Sequence, residues 1–295
     1  MMQDGLVVVD KPAGFTSHDV VAKLRKAYGQ RKIGHAGTLD PDATGVLLVG
    51  LGRATRLLRF LSDAGKAYEG RIVFGVATST LDAAGEVVDQ RPMPITRDDV
   101  ERVLPRFLGD IEQLPPMVSA VKIGGRRLHD LARAGEEVER APRPVHVDRF
   151  DVVSFTPGPY PEADIEVECG SGTYVRSLAA DVGAALGGCA HLAALRRTRV
   201  ASFTLADARP LAEVEADPPA AVLPLTTAMR DLERVDVDAE QARAVSHGVS
   251  FAAGALAVHG TGPYALVDPA GALLAVYDTR GASLRPAVVV AAGTS

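Results

Sequence analysis

The chain has 295 residues, 47% of them hydrophobic and 23% charged, with a formal net charge of -5, the composition of a globular protein long enough to bury a sizeable core. No apolar run approaches the roughly 20 residues that cross a bilayer, and the first residues lack the basic-then-apolar pattern of a secretory leader, so no membrane or export role is expected. Cys169 and Cys189 make neither a disulfide framework nor a metal-ligand spacing, which fits a reducing, cytoplasmic setting.

Taken in order, Leu6–Val9 reads as a short apolar strand, and Thr16 or Ser17 caps a helix from about His18 to Tyr28. The stretch Gly34 to Gly50 then packs three glycines, His35, Asp40 and Asp42 ahead of the run Val46–Val49. That run is a buried strand, while the glycines and the Asp40-Pro41 bond exclude a regular element before it. A short helix over Thr55–Leu61 and a strand over Lys66–Gly75 follow, then a turn-rich loop at Thr78–Gly85 and a helix opened by Thr96 and running to about Phe107. The paired prolines of Leu114–Lys122 call for extended chain, and Gly124–Gly135 reads as a turn and short helix. Strands are expected at Val145–Phe155 and Ala163–Cys169, then an amphipathic helix over Tyr174–Leu186 capped by Ser171 or Thr173. Beyond an acidic, Pro/Ala-rich stretch at Ala206–Ala221 come a helix at Ala239–Ser246 and apolar runs at Ala255–Val258, Tyr264–Val267, Leu273–Tyr277 and Val288–Val290. Strands and helices mix without a βαβα rhythm. The fold class is therefore α+β, a mixed and mostly antiparallel sheet with helices, divided into 1-222 and a small β-rich segment, 223-295.

Charge is unevenly placed. Basic residues gather at Lys23–Lys32, at Arg53, Arg56 and Arg59, at Arg126 and Arg127, and at Arg196, Arg197 and Arg199, while acids concentrate between Asp207 and Glu240. Such polarity lets an acidic protein hold phosphates locally. Asp40 and Asp42 form a D-x-D pair, which admits metal-assisted phosphoryl transfer, two-carboxylate glycoside chemistry, or one aspartate kept ionised by a cation. Arg176 is the natural cation, because it sits in a first helical turn where the dipole disfavours it unless a carboxylate holds it. Tyr68 is either core or a platform for a base.

The segment Gly34-His35-Ala36-Gly37-Thr38-Leu39-Asp40-Pro41-Asp42-Ala43-Thr44-Gly45-Val46-Leu47-Leu48 closely resembles the catalytic motif of TruB-type tRNA pseudouridine synthases. Asp10–Ser17, Lys66–Glu69, Thr80–Gly85, Pro115–Lys122 and Gly170–Leu178 match the same family in order, so the resemblance covers roughly residues 5 to 200. The C-terminal part resembles the family's small PUA-type RNA-binding barrel. The resemblance implies conversion of uridine 55 in the T-arm loop of tRNA to pseudouridine, with the target base flipped out of its stack. By resemblance, Asp40 is the catalytic aspartate, acting either on the sugar C1′ or on a sugar proton; Arg176 pairs with it, and Tyr68 stacks on the uracil and is the candidate base for the C5 proton. Tyr174 supports the site, His35 and Asp82 contact RNA near the target, Lys11 and Pro12 shape the loop and pocket, and Leu195 lines the uracil site. No cofactor and no metal are implied, the partner is tRNA, no protein partner is required, and a monomer is expected. One departure is His129, where relatives commonly carry tyrosine. A non-catalytic RNA-binding or tRNA-folding protein on the same scaffold is the alternative.

Overall fold

The computed structural model describes residues 3–119, 122–123, 126–127, 139–252 and 254–291. Of the turn and short helix expected over Gly124–Gly135, the described part is Arg126–Arg127, a two-residue strand paired antiparallel with Lys122–Ile123. The rest of that stretch, His129 included, lies outside the described residues. By its internal contacts the chain forms two compact units: Met1–Asp40 with Val46–Ser62 and Ala201–Ser295, and Pro41–Gly45 with Asp63–Val200.

In the first unit the Gly5–Lys11 strand lies beside the Thr44–Leu51 strand and pairs in parallel with Arg209–Pro210. Leu6–Val9 and Val46–Val49 are buried at every position, which is why both read as continuous apolar runs rather than alternating ones. The Ser17–Ala27 helix begins at Thr16, whose hydroxyl accepts from Asp19 N while the Asp19 side chain accepts from Thr16 N, a reciprocal capping box. Val20, Val21 and Leu24 form its buried face. One expectation is corrected here. Ile33–Ala36, containing Gly34 and His35, is a strand, pairing antiparallel with the Val46–Leu51 run through His35 opposite Val49. A glycine beside one histidine carries too little pattern to announce a strand whose order comes from its partner.

The same unit ends in a five-stranded sheet ordered Glu233–Asp236, Tyr264–Val267, Leu273–Arg280, Ser283–Val289, Phe251–Ala252. The Ala239–Ser246 helix, capped by Asp238, contributes Val245 to its core. Ala255–Val258 is not a strand; Leu256 fills that core from a loop. Tyr277 closes the far side by donating its hydroxyl to Val249 O at 2.7 Å.

The second unit is an antiparallel sheet in the order Gly109–Gln113, Arg143–Thr156, Glu162–Cys169, Lys66–Phe74, Ala190–Val200. Thr44 and Gly45 add to it in parallel, opposite Arg196 and Arg197. Ala163, Ile165, Val167 and Cys169 are buried while the acids between them face outward, the period-two signature of a strand with one wet face. The Val175–Ala185 helix packs on the Ala190–Val200 strand, an element the sequence pattern does not announce. Its alanines and three arginines show neither an apolar run nor clean alternation. The helix start differs too: Tyr174 is the capping residue without a side-chain cap, and Thr173 instead donates its hydroxyl to Gly170 O. Among the described residues no helix is long and apolar enough to cross a membrane.

Candidate active site

The expected site residues fall on both units. Lys11, Pro12, His35 and Asp40 belong to the first, and Tyr68, Asp82, Tyr174, Arg176 and Leu195 to the second.

Lys11 ends the first strand, fully buried, and its ammonium donates to Pro12 O at 2.9 Å and to Phe15 O at 2.6 Å. It therefore folds the exposed Pro12–Phe15 turn back on itself. Ser17, the first helical residue, reaches the chain just before Asp40: Leu39 N donates to its hydroxyl at 2.9 Å, and that hydroxyl lies 3.2 Å from Leu39 O. Both residues are buried, so these bonds fix the backbone feeding Asp40 in a place where an unpaired amide is costly. Asp40 is half-buried, whereas Asp42 is exposed. The ring of His35 meets that of His18 edge-on, with centroids 5.2 Å apart.

In the second unit Arg176 sits in the first turn of its helix at 5% exposure. Its Nη1 lies 3.1 Å from Asp82 Oδ2 and donates to Thr80 O at 3.0 Å, and its Nη2 donates to Val118 O at 2.8 Å. Within the unit the carboxylate beside this arginine is Asp82, to which the resemblance gave an RNA contact. Asp82 is itself held by the Thr80 hydroxyl at 2.5 Å and by Ala84 N at 3.1 Å, an Asx turn. Flanking amides zip that turn onto Leu192, through Ala83 N to Leu192 O and Leu192 N to Leu81 O. Gln113 was not foreseen. Buried, it accepts from Tyr174 N at 2.8 Å and donates to Tyr174 O at 3.0 Å, clamping the residue that starts the helix.

Tyr68 is nearly buried on the Lys66–Phe74 strand, directly opposite Arg197. Arg197, read from sequence as one of a basic surface set, is 1% exposed. Burial pushes its pKa down, against the charge and hydrogen bond of Tyr68, which favour the cation. Lys66 is also buried, and its pKa is lowered by that burial and by Arg197. Arg53, Arg56 and Arg59 donate to Val290 O, Val289 O and Ala287 O at the end of the C-terminal sheet, Arg53 also pairing with Asp4 while Arg56 and Arg59 stay exposed. Leu195 lines a cleft of about 620 Å³ with Asp42, Thr44, Glu69, Arg71 and Glu166 among its walls; Tyr68, Asp82, Tyr174 and Arg176 do not line it.

The comparisons with known proteins agree along the chain. The family described as TruB family pseudouridylate synthase (N terminal domain) matches residues 25–175, and two C-terminal domain families, of tRNA pseudouridylate synthase B and of tRNA pseudouridine synthase II, match 176–235 and 232–291. The tRNA pseudouridine synthase B of Rhodococcus jostii is 47% identical over 98% of this chain and 95% of its own length. That of Symbiobacterium thermophilum is 52% identical over 84% of this chain and 83% of its own. Among solved structures, a chain of a Cbf5-Nop10-Gar1 complex superposes with a TM-score of 0.76 at 27% identity, covering 98% of this chain and 85% of that one. A chain of an H/ACA RNP bound to a substrate RNA containing 2'-deoxyuridine gives 0.75 at 25% identity, covering 98% and 86%. With its mixed sheet, its flanking helices and its β-rich C-terminal end, this chain belongs to the TruB family of pseudouridylate synthases.

Proposed function

We propose that the chain isomerises uridine 55 in the T-arm loop of tRNA to pseudouridine, alone and without metal or cofactor. The observation that carries this reading is the 47% identity, over nearly the whole of both chains, to a tRNA pseudouridine synthase B. In this reading the target nucleotide leaves its stack. Asp40 supplies the carboxylate that works on the sugar, and Arg176 the cation that keeps it ionised. Support for Arg176 in that role is its fixed guanidinium, held by two carbonyls and by Asp82. Tyr68 stacks on the uracil and receives the C5 proton. Lys11 and Pro12 shape the entrance, Leu195 contacts the base, Tyr174 supports the site, and His35 and Asp82 meet RNA around it. Residues 1-222 are the catalytic part and 223-295 the tRNA-binding part, and the protein acts as a monomer in the cytoplasm.

The test is to map pseudouridine by position in an unmodified tRNA transcript incubated with the purified protein, with and without a chelator. Conversion confined to uridine 55 and indifferent to the chelator is expected. Conversion at other uridines only, or none, contradicts the reading, and loss on chelation returns attention to a metal.

A further inference from the structure

A buried arginine on the strand beside Tyr68 has no role in the mechanism proposed for Asp40, Arg176 and Tyr68. A guanidinium at 1% exposure forfeits several kcal/mol of hydration, and an apolar side chain would fill the same strand position without that cost. Its register is specific. Arg197 lies opposite Tyr68 on one side and opposite Gly45 on the other. Gly45 has φ +100, and a Cβ placed there would lie 2.2 Å from Arg197 O, so the end of the Asp40 loop is laid directly on the Arg197 backbone.

We propose that Arg197 is a positioning residue for Tyr68: its guanidinium donates a hydrogen bond to the phenol oxygen, orients that oxygen, and stabilises its ionised form. This rests on Tyr68 being the acceptor of the C5 proton. In that step the C5–H bond of the rejoined uracil breaks and its electron pair forms the C5–C6 double bond. The pair of the N1–C6 double bond returns to N1, which takes a proton from solvent, while the C5 proton adds to the phenolate oxygen and leaves neutral tyrosine. A cation hydrogen-bonded to the oxygen favours the phenolate that begins this step. Among the described residues, the strand neighbours of Tyr68 act in the same direction or not at all. Lys66, two residues earlier on the same face, is a second buried cation; Val167, opposite Tyr68 on the Glu162–Cys169 strand, is apolar. Cys169, opposite Lys66, has a thiol that burial pushes up to about 11, so it stays neutral and adds no opposing charge. On Arg197 itself, the charge and hydrogen bond of Tyr68 oppose the effect of burial, which is the reciprocal of the same contact.

Arg197→Met keeps the volume and removes the charge; Arg197→Lys keeps the charge and loses the fork. Single-turnover pseudouridine formation is measured against pH for both variants, for Tyr68→Phe and for Arg197→Met/Tyr68→Phe, alongside tRNA affinity. Losing a charge-assisted hydrogen bond at the proton acceptor predicts a rate about 10- to 100-fold lower in Arg197→Met. It also predicts a basic shift of the pH profile, unchanged tRNA affinity, partial recovery in Arg197→Lys, and no further loss when Arg197→Met is added to Tyr68→Phe. A folded Arg197→Met with the wild-type rate and pH profile overturns the proposal while leaving Tyr68 as base. An undiminished rate in Tyr68→Phe instead overturns the base reading itself. Should neither Arg197 variant fold, the wild type decides. By NMR of labelled tyrosines, Tyr68 is expected to ionise below Tyr277, which burial holds up at about 12; ionisation together with Tyr277 or above it contradicts the proposal.

Discussion

Asp82 holds Arg176 through a 3.1 Å ion pair while an Asx turn and the Thr80 hydroxyl hold Asp82. The arginine is nearly buried and its carboxylate partner only partly exposed, so water screens the pair weakly. Asp82→Asn keeps the shape and removes the charge. The expected cost, about 1.5–3 kcal/mol for a hydrogen bond to a charged group, corresponds to turnover lower by about 10- to 100-fold. Single-turnover kinetics at saturating tRNA check this; a wild-type rate would make the pair merely structural.

Ser17 and Leu39 make the complementary prediction on the other unit. Ser17→Ala strands the buried Leu39 amide, at an expected cost of about 1–3 kcal/mol, and loosens the backbone leading into Asp40. Denaturant unfolding and turnover should fall together. Lost stability with a wild-type rate would show that Asp40 does not depend on this anchor.

Stability should also respond to acid through Asp207. Its pKa is held below the ordinary aspartate value first by the Arg230 hydrogen bond and then by the bonds from Thr204 and the Arg230 charge, against the opposing effect of burial. Because the folded-state pKa is depressed, the contribution is complete above the unfolded aspartate value and is lost as pH falls through the folded one. Asp207→Asn should therefore be less stable than wild type at neutral pH, and the gap should close in acid. Urea unfolding across that range tests the sign, and a gap that persists in acid refutes the assignment.

The basic groups that remain exposed, among them Lys26, Arg31 and Lys32, are the candidates for phosphate binding. Replacing each by Gln should reduce the slope of log affinity against log salt by about one for each phosphate no longer neutralised. Slopes unchanged in all three variants would move the RNA path elsewhere.

Much of this was legible from residues. The Ser17–Ala27 helix announced itself by its cap and apolar face, and the Val46–Val49 run by being apolar throughout. The Ala239–Ser246 helix was expected with the bounds it has, and the structure adds its Asp238 cap. What escaped was set by partners distant in sequence. The Ala190–Val200 strand carries arginines that look like surface charge, yet Arg197 is among the most buried side chains because Tyr68 and Gly45 flank it. Arg53, Arg56 and Arg59 each reach a backbone carbonyl at the end of the chain, a local contact that no pattern in their spacing announces. Gln113 gave no signal, since a single glutamine clamping a backbone has no pattern in sequence. The dipole argument about Arg176 pointed to something local such as a carboxylate, for which the sequence reading named Asp40; within its unit the structure sets Asp82 beside it.

The central claim is that one carboxylate, Asp40, drives the isomerisation. The most direct measurement is release of a hydrogen label from C5 of uridine 55 in a tRNA transcript, comparing wild type with Asp40→Asn at equal tRNA affinity. Release by wild type and none by Asp40→Asn is the predicted result; undiminished release by Asp40→Asn would contradict the account.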